Sequence, residues 1–404
     1  MRNSGNTATL CGLSWLLSLF LLFLWIAAGV GIGWDYEVHE KAMDTLRHGG
    51  NPYLAGIAEQ DAFQKDLVRQ SKEHRPYIYV YTPITLPLLH LLSFAPRMAA
   101  AGGYCLLYVL GVLIQLWMTA RLAEESERSL ILCFLPWVIH FPGLLFFCIV
   151  QSGNISYMLY ALVLAACWRG WRRDRWLAFY FAVLIASCCK PPYLTLLAIA
   201  PLSTRRQWIP SGIAAFCGFA LYGAQSLLWP EQYRTYLLAM QRVFTFNRDF
   251  GCSPAGRLAA LLNAHGSPYA LAGIIVYLLQ TMLLLSALLW FFRAYEQGRI
   301  QRAQWLPVML LGVLLLNPRV NEYDIVSFTI PMVLVCCRIF HEYGMHPVRS
   351  FLFFWLGVSV LAFSLLRHSF KGLECLLLMA IMIAGFLLLW RQSRTGNITS
   401  VSAA

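Results

Sequence analysis

The residues best suited to chemistry in this sequence are acids gathered in one short stretch. WDYEVHEKAMDTLRHGGNPY, residues 34 to 53, carries Asp35, Glu37, Glu40 and Asp44 directly behind the first long apolar run. The apolar segments that follow are almost free of acid. A carboxylate at the mouth of a membrane segment is expensive to keep there, so a functional role is its default reading: taking a proton from a reacting group, or holding a cation. Two cations occupy comparable settings, Lys190 in CCKPP between two short apolar runs and Arg319 in NPRVNEYD. Such a cation neutralises an anion. Lys190 has snorkelling to the interface as its alternative, and Arg319 has an ion pair with Glu322 or Asp324.

The acids are not equivalent. EVHEKAMDTLRHGG has the spacing of a short amphipathic helix lying at an interface, and Glu37, Glu40, Lys41 and Asp44 read as its solvated face. Asp35 follows Trp34 at the end of the apolar run and reads as the chemical residue. The DYE triplet, residues 35 to 37, looks like a metal-binding acid pair, but residues two apart on a helix face different ways. No metal and no other cofactor is expected. His39 and His265 read as interfacial residues rather than ligands.

These residues belong to a membrane protein. Hydrophobic residues make up 59% of the chain and charged residues 12%, against roughly 25% charged in a soluble domain; mean hydropathy is +0.60. The net charge of +12 sits largely in short loops between apolar runs, which is the positive-inside pattern and calls for no nucleic acid. Twelve cysteines, mostly in apolar runs and without paired CxxC units, exclude a zinc site of that kind. The sequons at Asn154 and Asn397 match a common pattern and carry no weight. The expected fold is all-α: one integral membrane domain over residues 1–404, a polytopic helical bundle with short broken helices around an extracytoplasmic cavity. Its parts are a retained first helix at 11–33, an extracytoplasmic loop with an amphipathic helix at 34–78, further membrane segments over 79–390 and a cytoplasmic tail at 391–404.

Arginine-rich turns at 169–175, 205–206, 293–302, 338–349 and 391–394 mark the cytoplasmic side. Asp35, residues 151–154, Lys190, the 229–265 loop and residues 317–324 then fall on the opposite face. The runs 155–168, 176–189 and 191–204 have only about 14 residues each, where a straight crossing takes about 20. Helices that stop part-way must end inside protein or at a watery cavity. If 79–95 crosses inward and 99–120 outward, residues 129–150 must enter and return, and PWVIHFPG at 136–143 is a proline break suited to such a hairpin.

An aspartate after the first helix, a short amphipathic helix and GGNPY resemble the polyprenyl-phosphate-sugar-dependent transferases of the GT-C superfamily, specifically glycosyltransferase family 87. YTPITLPLL (81–89), QSGNISYMLYALVLA (151–165) and ASCCKPPYLTLL (186–197) continue the resemblance in order, over roughly residues 30 to 205. Where the family often has Gly-Gln before its Asn, this chain has Gln151, Ser152, Gly153 and Asn154. The resemblance implies an inverting hexosyltransferase, with mannose the first guess, that uses a polyprenyl-phosphate sugar donor and a glycan or glycolipid acceptor. It implies multi-pass residence among membrane lipids, in the inner membrane of a bacterium. It carries the catalytic base onto Asp35, with Lys190 and Arg319 to steady the leaving phosphate. Asn51, Tyr53, Tyr81 and Asn154 would orient sugar hydroxyls or cap helix ends beside the cavity.

Two other classes compete. A transporter or flippase of lipid-linked sugars also needs broken helices and buried charge, but the chain lacks two related halves with paired interruptions. A polysaccharide polymerase or ligase calls for an arginine-rich outer loop, and residues 232–257 supply one. The absence of a soluble lobe with a glycine-rich phosphate turn argues against a nucleotide-sugar donor.

Overall fold

The computed structural model describes residues 33–66, 76–125, 153–247, 269–318, 327–346 and 373–395, with short pieces within 9–20, 127–132, 253–261, 320–324 and 349–353. Every secondary-structure element among these residues is helical. Helix α1 (Trp34–Arg47) opens with Asp35 and Glu37 in its first turn, where acids complement the exposed N–H groups and the helix dipole. It ends before Gly49, whose φ of +75° suits glycine. One face buries Asp35, Tyr36, Val38, His39, Ala42 and Met43, while Glu37, Lys41 and Asp44 are exposed. A second helix, α2 (Pro52–Lys65), begins with proline in its first turn and is capped by Asn51, whose Oδ1 accepts from the backbone N–H of Tyr53 and Leu54 at 3.0 and 3.4 Å.

Residues 76–82 form no helix and lead through a 3₁₀ turn at Pro83–Thr85 into α3 (Leu86–Leu92). Pro83 and Pro87 limit regular helix here, and Pro83–Leu92 spans roughly 15 Å, half a bilayer core. The crossing expected at 79–95 is therefore corrected to a half-length segment. Helix α4 (Arg97–Leu122) is long enough to cross. A hairpin of α5 (Ser156–Arg173) and α6 (Leu177–Cys189) follows. Its turn uses Asp174 at φ +52°, and Gly170 lies against the Trp176 ring. The third short helix expected at 191–204 is instead a 3₁₀ segment over Pro191–Ile199, entered through two prolines that supply no N–H.

The rest is α7 (Trp208–Leu228), α8 (Pro230–Asn247), α9 (Tyr269–Glu296), α10 (Arg302–Leu315), α11 (Thr329–Glu342) and α12 (Leu373–Thr395). The helical segments Arg97–Leu122, Arg205–Leu228, Gly273–Glu296 and Leu376–Arg394 are long and apolar enough to cross a membrane. The fold is all-α and polytopic.

Among the described residues, buried side chains form two cores. The larger is built on α5, α6, the 3₁₀ segment, α10 and α11, and α10 is buried from Trp305 through Leu315. The smaller is a cap of α1, α2, residues 78–89 and α8, centred on Val38, Met43, Tyr53, Tyr79 and Tyr236. Ile155 and Cys189 pack against both, and their sequence neighbours are Asn154 and Lys190. Ion pairs mark the two ends of the bundle. At the cap end stand Arg97–Glu40, Lys41–Glu59 and Arg242–Asp61; at the far end stand Arg205–Glu296 and Arg338–Glu124. Since Arg97 meets α1, α4 starts at the cap end, and the arithmetic that required a hairpin at 129–150 no longer holds. Those residues lie almost wholly outside the described ones.

Candidate active site

Where the two cores meet, five distant segments bring polar side chains together. Asp35 is 8% exposed at the start of α1. Its Oδ2 accepts from the Tyr81 hydroxyl at 3.3 Å and from Asn154 Nδ2. Asn154 Oδ1 in turn accepts from the Ser156 N–H at 2.9 Å and from Lys190 Nζ at 2.8 Å. Lys190 Nζ also donates to Ser156 Oγ, lies 4.0 Å from Asp324 Oδ1, and stands 5.8 Å from the centre of the Tyr81 ring. Ser156 Oγ donates to Asp324 Oδ1 at 2.9 Å. A continuous chain of hydrogen bonds thus runs Asp35, Asn154, Lys190, Ser156, Asp324.

The backbone beneath this chain is fixed from several sides. Gly153 has φ +61°, and a Cβ there would stand 3.2 Å from the Gly33 nitrogen, so glycine lets the two backbones approach and brings Asn154 beside Asp35. Tyr104 and Tyr108 of α4 donate to the carbonyls of Gly153 and Asn154, the latter at 2.8 Å. Thr82 donates to the Cys188 carbonyl, tying the segment before α3 to the end of α6. Tyr193 donates to the Ser156 carbonyl at 2.7 Å.

Burial disfavours the charged carboxylate and pushes Asp35 up to about 6; the Lys190 charge and the hydrogen bonds from Tyr81 and Asn154 oppose that, and the Asp324 charge adds to it. One turn along α1, His39 is held down at about 4 by burial and by Lys190, so it is neutral near pH 7. Its ring packs 4.7 Å from that of Tyr81, and at 7% exposure it is not the interfacial residue expected from sequence. Asp324 lies in the wall of a small, partly open cleft with Tyr193, Thr195, Asn317 and Ser327.

Tyr81, Asn154 and Lys190 are thus gathered around Asp35. Asn51 and Tyr53 are not: Asn51 caps α2 and donates to Thr235 Oγ1 at 3.0 Å, while Tyr53 is fully buried and donates to the Tyr81 carbonyl at 2.7 Å. Arg319 and His265 lie outside the described residues. Asp35 is buried and Glu37 exposed, and no group of three metal-binding side chains forms among the described residues. Ser156 is the last residue of the NIS sequon, a pattern too common to single it out; its place two residues after Asn154, at the head of a helix, is the signal the sequence offers. For Asp324 the sequence suggests only a partner for Arg319.

Fold and cluster define a class: a polytopic helical protein with a carboxylate-centred polar site at one end of its bundle. The chain belongs to glycosyltransferase family 87, whose family model matches residues 79–321, well over half of its length. It is a glycosyltransferase. No curated protein and no solved structure matches it. The matched span contains Tyr81, Asn154, Lys190 and Arg319, and leaves Asp35, Asn51, Tyr53 and Asp324 outside.

Proposed function

We propose that this glycosyltransferase moves a hexose, mannose as first choice, from a polyprenyl-phosphate donor to a glycan- or lipid-linked acceptor at the extracytoplasmic face of a cell membrane, with Asp35 as general base. The observation that carries the reading is Asp35 itself: a buried carboxyl, pushed up to about 6, oriented by Tyr81 and Asn154 at the cap end of a membrane bundle. A group with that value is ionised at pH 7 yet still basic enough to accept a proton from a hydroxyl as it attacks.

In the proposed step the acceptor oxygen forms its bond to the anomeric carbon from the face opposite the phosphate. The bond from that carbon to the phosphate oxygen breaks, and the electron pair leaves with the polyprenyl phosphate. The acceptor's proton goes to Asp35. A single displacement inverts the anomeric centre, and phosphate leaves without a general acid, unlike the alcohol that a glycosidase must protonate. Lys190 and Arg319 are the cations proposed to stabilise the departing charge. Lys190 is already held by Asn154 and Ser156, so its contribution is a fixed positive field more than a mobile clamp. The cap end is assigned to the extracytoplasmic side because Arg172, Arg173, Arg205, Arg206 and Arg302 gather at the other end.

The reading is tested with purified protein in nanodiscs, given polyprenyl-phosphate mannose and, separately, GDP- and UDP-sugars. Transfer is expected from the lipid monophosphate alone and without added divalent metal. Efficient turnover of a nucleotide sugar, or loss of transfer in EDTA that Mg²⁺ or Mn²⁺ restores, would overturn it.

A further inference from the structure

Lys190 faces two carboxylates. Asn154 links it to Asp35 on one side, and Ser156 and a 4.0 Å approach link it to Asp324 on the other. The side chains of Lys190 and Asp324 are only 20% and 13% exposed, so neither charge is well screened. The titratable groups packed around Asp35 and its link to Asp324 among the described residues are His39 of α1, Tyr81, Tyr104 of α4, Lys190, Tyr193 and Asp324. His39 is neutral near pH 7, and the tyrosines are hydrogen-bonded hydroxyls. Among the described residues, the fixed charges next to the proposed base are therefore one lysine and one second aspartate.

We propose that Asp324 is a positioning residue of the transfer reaction, acting on Asp35 through Ser156 and Lys190 along the buried hydrogen-bond chain. Asp324 draws Lys190 away from Asp35. With Asp324 present, the lysine charge is shared between two carboxylates and Asp35 keeps enough basicity to take the acceptor proton. With Asp324 neutralised, more of the Lys190 charge falls on Asp35, and Asp35 becomes a weaker base that ionises at lower pH. Direct repulsion between the carboxylates has the same sign, so both effects push one way. The inference rests on the reading of Asp35 as base, and the experiment separates the two.

The variants are Asp324→Asn and Asp324→Glu, with Asp324→Ser as a smaller neutral replacement should the asparagine variant fail to fold. Two readouts are taken. The first is the infrared protonated-carboxyl band of Asp35, followed against pH and identified by its loss in Asp35→Asn; it requires no turnover. The second is the acid limb of kcat with a polyprenyl-phosphate sugar. A neutral residue at 324 is expected to move both midpoints down by at least about half a pH unit, the order expected for one charge removed a few side chains away, and to lower the plateau rate. Asp324→Glu is expected to restore the parental midpoints. An unmoved or raised Asp35 band midpoint in the neutral variants, or an equal displacement in Asp324→Glu, would overturn the role of Asp324. Retention of transfer by Asp35→Asn would instead sink the reading of Asp35 as base, while the band shift still reports on the coupling.

Discussion

Asp35 is held at a cost to stability, and the sign of that cost is testable. Its carboxyl has an ordinary value of 3.8 and is raised to about 6 in the folded chain, chiefly by burial. Below pH 4 both folded and unfolded forms are protonated and nothing is lost. Between 4 and 6 the unfolded form releases its proton while the folded form retains it, so stability falls as pH rises; above 6 the full penalty, on the order of 3 kcal/mol, persists. Asp35→Asn keeps the shape and cannot accept a proton. It is expected to lose roughly a hundred- to ten-thousand-fold in transfer rate, yet to melt at a higher apparent temperature than the parent in detergent at pH 7.5, a gap that closes near pH 4. A variant that keeps more than about a tenth of the rate removes Asp35 as base. In the parent, kcat is expected to rise through pH 6 to a plateau, because the ionised form is the active one.

At the scale of elements, the hairpin of α5 and α6 decides whether Ser156 and Lys190 meet, since they stand at its two ends. The turn is close-packed: a Cβ on Gly170 would stand 2.5 Å from the ring of Trp176, which is 4% exposed and donates from Nε1 to Asp174 Oδ1 at 3.0 Å. The ring has nowhere to yield. Gly170→Ala is expected to destabilise the protein by about 1–3 kcal/mol through overpacking, read as a lower apparent melting temperature in detergent with transfer reduced in parallel. Gly212 in α7, where a Cβ meets nothing within 4 Å, is the control; Gly212→Ala leaves the midpoint unchanged or raises it. An unchanged midpoint in Gly170→Ala would show that the hairpin relaxes.

For the whole molecule, the two ends defined by ion pairs predict sidedness. Single cysteines at positions 44, 98 and 297 of a cysteine-free chain occupy exposed sites, the first two at the cap end and the third near the Arg205–Glu296 pair. An impermeant thiol reagent is expected to reach 44 and 98 from one side of the membrane and 297 only from the other. A crossing helix at 79–95 would instead separate 44 from 98. Labelling of 44 and 297 from the same side would remove both the assignment of the ends and the extracytoplasmic placement of the site.

Composition and local pattern determine that this chain is all-helical and membrane-embedded, because a bilayer admits few other backbones for so apolar a sequence. They also single out Asp35, an acid placed where acids are costly, and the amphipathic spacing of α1. What they cannot contain is partnership. Asp35 and Asn154 are 119 residues apart, and Ser156 and Asp324 are 168 apart, whereas a helical pattern reports only on neighbours three or four positions away. The same limit hid α2, whose face shows little amphipathic contrast, and the half-length of 83–92, where prolines end a run whose hydropathy alone would continue. It also hid the burial of His39 against Tyr81, since a histidine on an interfacial helix faces protein or water according to what packs above it. The meeting of the cap with the bundle brings Tyr81, Asn154, Lys190 and Asp324 to one carboxylate, and close packing of two cores across Gly33 and Gly153 is the physical reason.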